Sequence, residues 1–444
     1  MRMHFLRQIP LLLILWVATS ALPIENFMKD RSHFFWKEVR QIQTPSHTVH
    51  VLEVVSQEWG GDLVTDRVWK HTLKVTVPKE LKSVEVFFTI NGGKSGDKEE
   101  LSPKPLLDVC LSTGTILAEL NMIPNQPLQF IGEENPRIED GLVAYTWRKQ
   151  METKDAELPL HWPMARAVMR GIDALEEFLG QKRPLTGVVL FGHSKRAWAA
   201  WLAAACDKRV VGLIPVVCDF LNVEECFSHH YKTLQGFSPV LRDYKKEGIN
   251  ESCIKSPAFR DLMELDDPFS YKERYQMPKY LINASGDPFS MPDSAQFYFG
   301  ELPNPKYLRY LPNAGHDVSK TNYLDTAAHF YRTIVQKKAL PQVTWKEKEE
   351  GTLEVTVSEA PLKIALWSSF NQEARDFRWD FTHKEWVRQE IEISSSGIYE
   401  VDLKGPEKGW GAHFVECTFE NDLVFTTQIF VVPNLFQEAQ AVNQ

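Results

Sequence analysis

Three stretches of this 444-residue chain are apolar at nearly every position: residues 185–191, 210–217 and 280–283. A strand with one wet face alternates apolar and polar side chains, so strands lacking that alternation are covered on both faces. Helical signals surround them. Residues 160–179 repeat at the helical period, with Met164, Val168, Ile172, Leu175 and Phe178 on one face. Residues 197–206 are rich in Ala and Trp, and residues 323–336 carry another helical signal. Buried strands alternating with helices predict an α/β domain on a mostly parallel sheet flanked by helices. Residues 73–77 and 84–90 also read as strands.

Beyond residue 337 the pattern changes. Residues 353–357, 363–367, 387–393, 397–403, 413–419 and 423–432 are short, largely alternating segments with turns between them. This predicts a C-terminal β-sandwich over 341–444, after an α/β domain over 22–340. Hydrophobic residues at 43% and charged residues at 25% are ordinary globular values and exclude a disordered or fibrous chain. A net charge of −9 with no long Lys/Arg run argues against a nucleic-acid partner.

The first 21 residues read as a signal peptide. Arg2 and Arg7 precede a ten-residue apolar run over 9–18, which ends in the first of the small residues Ala18, Thr19, Ser20 and Ala21. The run is well short of the roughly 20 residues that span a bilayer, so the expectation is a secreted, extracellular protein without a membrane span. In an oxidising compartment some of the six cysteines are expected to pair, and the spacing of Cys218 and Cys226 suits a short clip. No Cys-x-x-Cys or His-Glu-x-x-His spacing occurs, so no metal is expected. The sequon at Asn250 lies in a polar stretch and reads as a glycosylation site, whereas the one at Asn283 follows an apolar segment and is expected to be buried and unmodified.

The sharpest chemical signal is Gly192-His193-Ser194, between a buried strand and a small-residue helix. A nucleophile elbow needs this context, because a tight strand-to-helix turn lifts a serine hydroxyl above the sheet. The usual Gly-x-Ser-x-Gly pattern is broken by Arg196. A hydroxyl needs a base oriented by a carboxylate. His316 follows Asn313-Ala314-Gly315, and Asp287 follows the strand at 280–283, which reproduces the Ser–acid–His chain order of hydrolases on this type of sheet. Asp293 and Asp219 remain alternative acids. A working pair would place His316 Nε2 roughly 2.6–3.2 Å from the Ser194 hydroxyl. For the oxyanion, the Lys195 backbone N–H is one donor and the Gly92-Gly93 turn a candidate second. Lys195 and Arg196 either attract a substrate carboxylate or pair with buried carboxylates. This chemistry requires no cofactor.

These residues resemble the PhoPQ-activated pathogenicity-related family. The resemblance rests on Trp59, Trp69, Asn91-Gly92-Gly93, Glu139-Asp140, Ser194-Lys195-Arg196-Ala197-Trp198, the run from Asn283 through Asp287 and Asp293, and Asn313-Ala314-Gly315-His316. It covers roughly residues 45–335 and departs where the family usually has Gly and this chain has Ala197. It implies an α/β-hydrolase fold and the roles of Ser194, Asp287 and His316. It also implies two functions: a serine hydrolase acting on a small-molecule or peptide substrate, or a secreted growth regulator acting through a cell-surface receptor. A third reading, a carbohydrate-binding module near the C-terminus, rests on Trp367, Trp379, Trp386 and Trp410 alone.

Overall fold

The computed structural model describes residues 23–94, 97, 101–181, 183–349 and 351–436. The expected signal peptide, residues 1–21, lies outside them. Nine strands form the main sheet: β1 (Phe35–Gln43), β2 (His47–Glu58), β3 (Val68–Pro78), β4 (Glu85–Ile90), β5 (Ile116–Asn121), β6 (Gly187–His193), β7 (Val210–Val216), β8 (Lys279–Ala284) and β9 (Lys306–Leu311). Their spatial order is β1-β2-β3-β5-β4-β6-β7-β8-β9. Strands from β5 to β9 run parallel, while β1, β2 and β3 join antiparallel at one edge. This is the α/β-hydrolase arrangement. The fully apolar segments are its centre: every residue of β8 is buried, and so is every residue of β6 except His193.

The helices are α1 (Pro23–Lys29), α2 (Lys104–Thr113), α3 (Asp140–Thr153), α4 (His161–Leu179), α5 (Lys195–Cys206), α6 (Val223–Leu234), α7 (Arg242–Lys246), α8 (Glu251–Ile254), α9 (Pro257–Asp266), α10 (Tyr323–Val335) and α11 (Trp379–Thr382). Helix α5 forms the crossover from β6 to β7 and packs against both strands. Helices α6 to α9 form an insertion between β7 and β8.

The C-terminal strands are β10 (Val343–Glu349), β11 (Thr352–Val357), β12 (Lys363–Asn371), β13 (Val387–Glu390), β14 (Ile398–Asp402), β15 (Trp410–Thr418), β16 (Val424–Thr426) and β17 (Phe430–Val432). They form two antiparallel sheets, β10-β11-β14 and β13-β12-β15-β16 with β17 on β15. Strands β11 and β14 bury alternate residues, as a sandwich requires. The sandwich core, with Val355, Tyr399 and Phe425, continues into Tyr280, Tyr307 and Phe330 of the α/β layer.

The expected disulfides are absent: all six cysteines are free. They sit on separate helices, a loop and a strand. Cys226 Sγ points back to the Leu221 carbonyl (3.2 Å) and Cys110 Sγ to that of Ile116 (3.7 Å). Asn250 is exposed and caps α8. Asn283 is buried and donates to the Tyr298 hydroxyl.

Candidate active site

Strand β6 ends at His193 and α5 begins at Lys195, so Ser194 is the entire turn between them. Its backbone lies at φ 53, ψ −128. A positive φ costs an L-residue about 1–3 kcal/mol and persists only where the surroundings enforce it. Here the Ser194 N–H donates to the Val216 carbonyl of β7 (2.9 Å), and the Ser194 carbonyl accepts from Trp198 N–H (3.1 Å). Gly192 allows the helix to descend onto the strand, since a Cβ there would lie 2.8 Å from the Arg196 carbonyl oxygen. Ala197 is fully buried in the same contact layer.

The candidate acid and base arrive on the next two loops of the sheet. Asp287 follows β8 and His316 follows β9. Asp287 Oδ2 meets His316 Nδ1 at 2.8 Å, while Asp287 Oδ1 accepts from Phe289 N–H at 2.9 Å. Ser194 and His316 line one cleft of about 380 Å³, together with Lys195, Phe289 and Tyr323. Among the described residues no hydrogen bond closes between the Ser194 hydroxyl and His316, so the expected close contact is not formed. Such bonds often tighten only around substrate. Burial works to lower the His316 pKa, but the Asp287 charge and hydrogen bond outweigh it and hold the pKa above the ordinary value. His193, wedged against Phe191 and Tyr323, is pushed down to about 4 by burial, with smaller effects from His316 and Arg196.

The two other candidate acids are engaged elsewhere. Asp219 is buried after β7 and accepts from the hydroxyls of Tyr298 (2.5 Å) and Tyr310 (2.7 Å). Burial pushes its pKa up to about 7. Asp293 bonds His229 (2.8 Å) and the guanidinium of Arg375.

Glu139, for which the sequence offers no role beyond the family resemblance, pairs with both cations. It heads α3 at φ 49, ψ −129. Its carboxylate takes two bonds from Arg196 (2.6 and 2.7 Å) and one from Lys195 (2.9 Å), and Lys195 also reaches Asp140 at 3.3 Å. Burial alone would raise the Glu139 pKa, but the two cations hold it well below the carboxylate range. The cations therefore have partners and are not free to receive a substrate carboxylate. The Gly92-Gly93 turn follows β4, the neighbour of β6, yet it abuts Arg196 rather than the cleft: a Cβ at Gly92 would lie 2.7 Å from the Arg196 guanidinium. Lys195 does line the cleft.

A strap from the C-terminal sandwich, residues 375–386, backs both loops. Trp379 N–H donates to the Gly286 carbonyl (2.8 Å), one residue before Asp287. Asp380 lies against Gly315, one residue before His316. Asn313 exchanges two hydrogen bonds with the Trp386 backbone (2.7 and 3.1 Å). Two of the four aromatics that suggested sugar binding are used for packing. Trp386 is buried against Phe377 and Phe414, and Trp367 stacks on Phe414.

A model of the family described as PhoPQ-activated pathogenicity-related protein matches residues 24–378. Autocrine proliferation repressor protein A of Dictyostelium discoideum is 32% identical over 462 aligned residues, covering 96% of this chain and 93% of that protein. Among solved structures, the acetyl xylan esterase from Paenibacillus sp. R4 superposes with a TM-score of 0.50 at 15% identity, over 71% of this chain and 91% of its own. That likeness concerns the fold.

Proposed function

The chain belongs to the PhoPQ-activated pathogenicity-related family, and from that premise we propose that it is an exported serine hydrolase cleaving ester or peptide-type acyl bonds. One observation carries the reading: a strained serine at a strand-to-helix turn lines the same cleft as an imidazole whose far nitrogen is held by a carboxylate. Ser194 Oγ attacks the acyl carbon, and His316 Nε2 takes its proton and returns it to the leaving group. Asp287 fixes the tautomer and stabilises the imidazolium. The Lys195 backbone N–H, at the start of α5, supports the oxyanion.

A fluorophosphonate probe tests this. Wild type labels and Ser194→Ala does not. An unlabelled wild type, or label retained in the variant, overturns the reading. The relative's name favours a second role, restraint of proliferation, for which we propose a cell-surface receptor as partner. Growth assays with Ser194→Ala separate the two, because a purely receptor-borne effect survives the substitution.

A further inference from the structure

We propose that the site selects acetyl-sized acyl groups carried on a larger alcohol; this deepens the hydrolase reading and rests on it. Ser194 borders two spaces, the open cleft of about 380 Å³ and a second chamber of about 10 Å³. The chamber is walled by Trp147, Trp198, Phe220, Phe227, Leu241 and Tyr244, brought together by α3, α5 and the insertion between β7 and β8. Asp140, Lys195 and Phe289 belong to both spaces and mark the junction at the serine.

The order of events assigns each space a role. The alcohol must leave and water must enter while the acyl group stays bonded to Ser194. Only the open cleft gives that passage, so the alcohol occupies it and the acyl tail turns into the chamber. A water-sized group has only about 10 Å³ in which its centre can move there, which is room for a methyl group and not for a longer chain.

The walls resist widening. Trp147 Nε1 donates to the Asp266 carboxylate (2.6 Å) and Trp198 Nε1 to the Asp266 carbonyl (2.7 Å). Trp198 also stacks flat on His161, with ring centroids 4.6 Å apart, and His161 is itself bonded to Asp266 (2.7 Å). In the reaction, the Ser194 Oγ–acyl bond forms as the ester C–O bond breaks, and the Oγ proton passes through His316 to the alcohol. Water then adds to the acyl carbon, the Oγ–acyl bond breaks, and a proton returns to Oγ as acetic acid departs.

The test is kcat/KM on p-nitrophenyl acetate, butyrate and octanoate. Wild type is expected to favour acetate over butyrate by about tenfold or more, with a further fall at octanoate, in line with what a pocket discriminates per methylene. Phe220→Ala, a half-buried wall residue, and Leu241→Ala, from another wall, should each raise the butyrate-to-acetate ratio by about tenfold. If wild type turns over octanoate as well as acetate, or if both variants fold and leave the ratio unchanged, the size limit is overturned while the hydrolase reading stands. No acetate turnover with Ser194 still labelled by fluorophosphonate overturns the acetyl assignment alone. No turnover and no label overturn both.

Discussion

Replacing Gly286 by Ala probes the coupling between the C-terminal strap and the acid–base pair. The added methyl would lie 2.7 Å from both the backbone nitrogen and Cβ of Trp379, and 3.0 Å from the Phe377 carbonyl oxygen. These are main-chain atoms and a Cβ, so no side-chain rotation relieves the clash, and either the strap or the turn must move. Overpacking of this kind costs about 1–3 kcal/mol. The turn is gripped on both sides, by Gly286 N–H to the Ala314 carbonyl (3.0 Å) and by Trp379 N–H to the Gly286 carbonyl (2.8 Å). A displacement of a few tenths of an ångström therefore reaches Asp287, whose bond to His316 is 2.8 Å. Losing the acid's function outright costs a triad about 10⁴ in kcat, so a misaligned but present carboxylate should cost about 10- to 100-fold. Gly315→Ala makes the contrast. Its methyl would meet the Asp380 carboxylate at 2.7 Å, the free end of an exposed side chain that can swing away. The expected loss is below about threefold, and Asp380→Ala should restore it, since a relieved clash costs little. The assay is p-nitrophenyl acetate hydrolysis beside thermal denaturation. Full activity in Gly286→Ala, or an equally severe Gly315→Ala that Asp380→Ala does not rescue, would show that the strap does not position these loops.

Activity should rise with pH through a midpoint above 6.5, because His316 must be neutral to act as base and Asp287 raises its pKa; the same raised pKa contributes stability below pH 6.5 that is lost over the window in which activity appears, which paired rate and denaturation profiles would reveal. Four histidines are driven neutral chiefly by burial, His71, His193 and His413 to about 4 and His230 to about 3. Their folded pKa values lie below the unfolded one, so stability should fall as pH drops from 6.5 toward 4, with a slope approaching roughly 5 kcal/mol per pH unit if all four take up protons on unfolding; a flat profile in denaturant titrations over that range contradicts the assignment. Arg375→Met should destabilise by about 3–5 kcal/mol, since it leaves the Asp293 carboxylate, 5% exposed, without its cation. The loss should appear throughout neutral pH, because the depressed Asp293 pKa confines any fading of that pair to acid below the ordinary carboxylate value. If the chain is exported, protein recovered from medium should begin near Leu22 and lose mass on N-glycosidase treatment through Asn250, and an intact Met1 would argue against export.

The central layer was legible because burial on both faces leaves a simple mark: strands β6, β7 and β8, and helices α4, α5 and α10, all fall where uninterrupted apolar runs and helical periods put them. The elbow was legible for the same reason, as a short polar interruption between two such segments. What escaped the sequence reading depends on long-range pairing. Strand β1 is exposed along most of its length, so it carries little hydrophobic pattern. The insertion between β7 and β8 consists partly of helices as short as four and five residues, too brief for a period to show. Asp219, Asp287 and Asp293 all sit near strand ends, and only the path of the loops selects Asp287 as the partner of His316. Cysteine pairing was inferred from the expected compartment, which says nothing about whether two thiols face each other.

The placement of the C-terminal sandwich follows from a weakness of the α/β layer. Strand β9 ends the main sheet, and an uncovered edge strand next to the loop that carries His316 would be both a pairing hazard and a poor anchor for that loop. The sandwich meets that edge directly: Tyr310 N–H donates to Thr426 Oγ1 (3.1 Å) and the Tyr280 hydroxyl to the Val424 carbonyl. The same body then extends the strap over Gly286 and Gly315 and locks it with the buried Arg375–Asp293 pair. Asp293, a rejected candidate for catalytic acid, thus still serves the site, by fixing the element that sits behind the acid. The family match over residues 24–378 ends just past Arg375 and Phe377 and so includes the anchor of that strap along with Ser194, Asp287 and His316. The unit that orients Asp287 and His316 is therefore larger than the α/β layer that carries them.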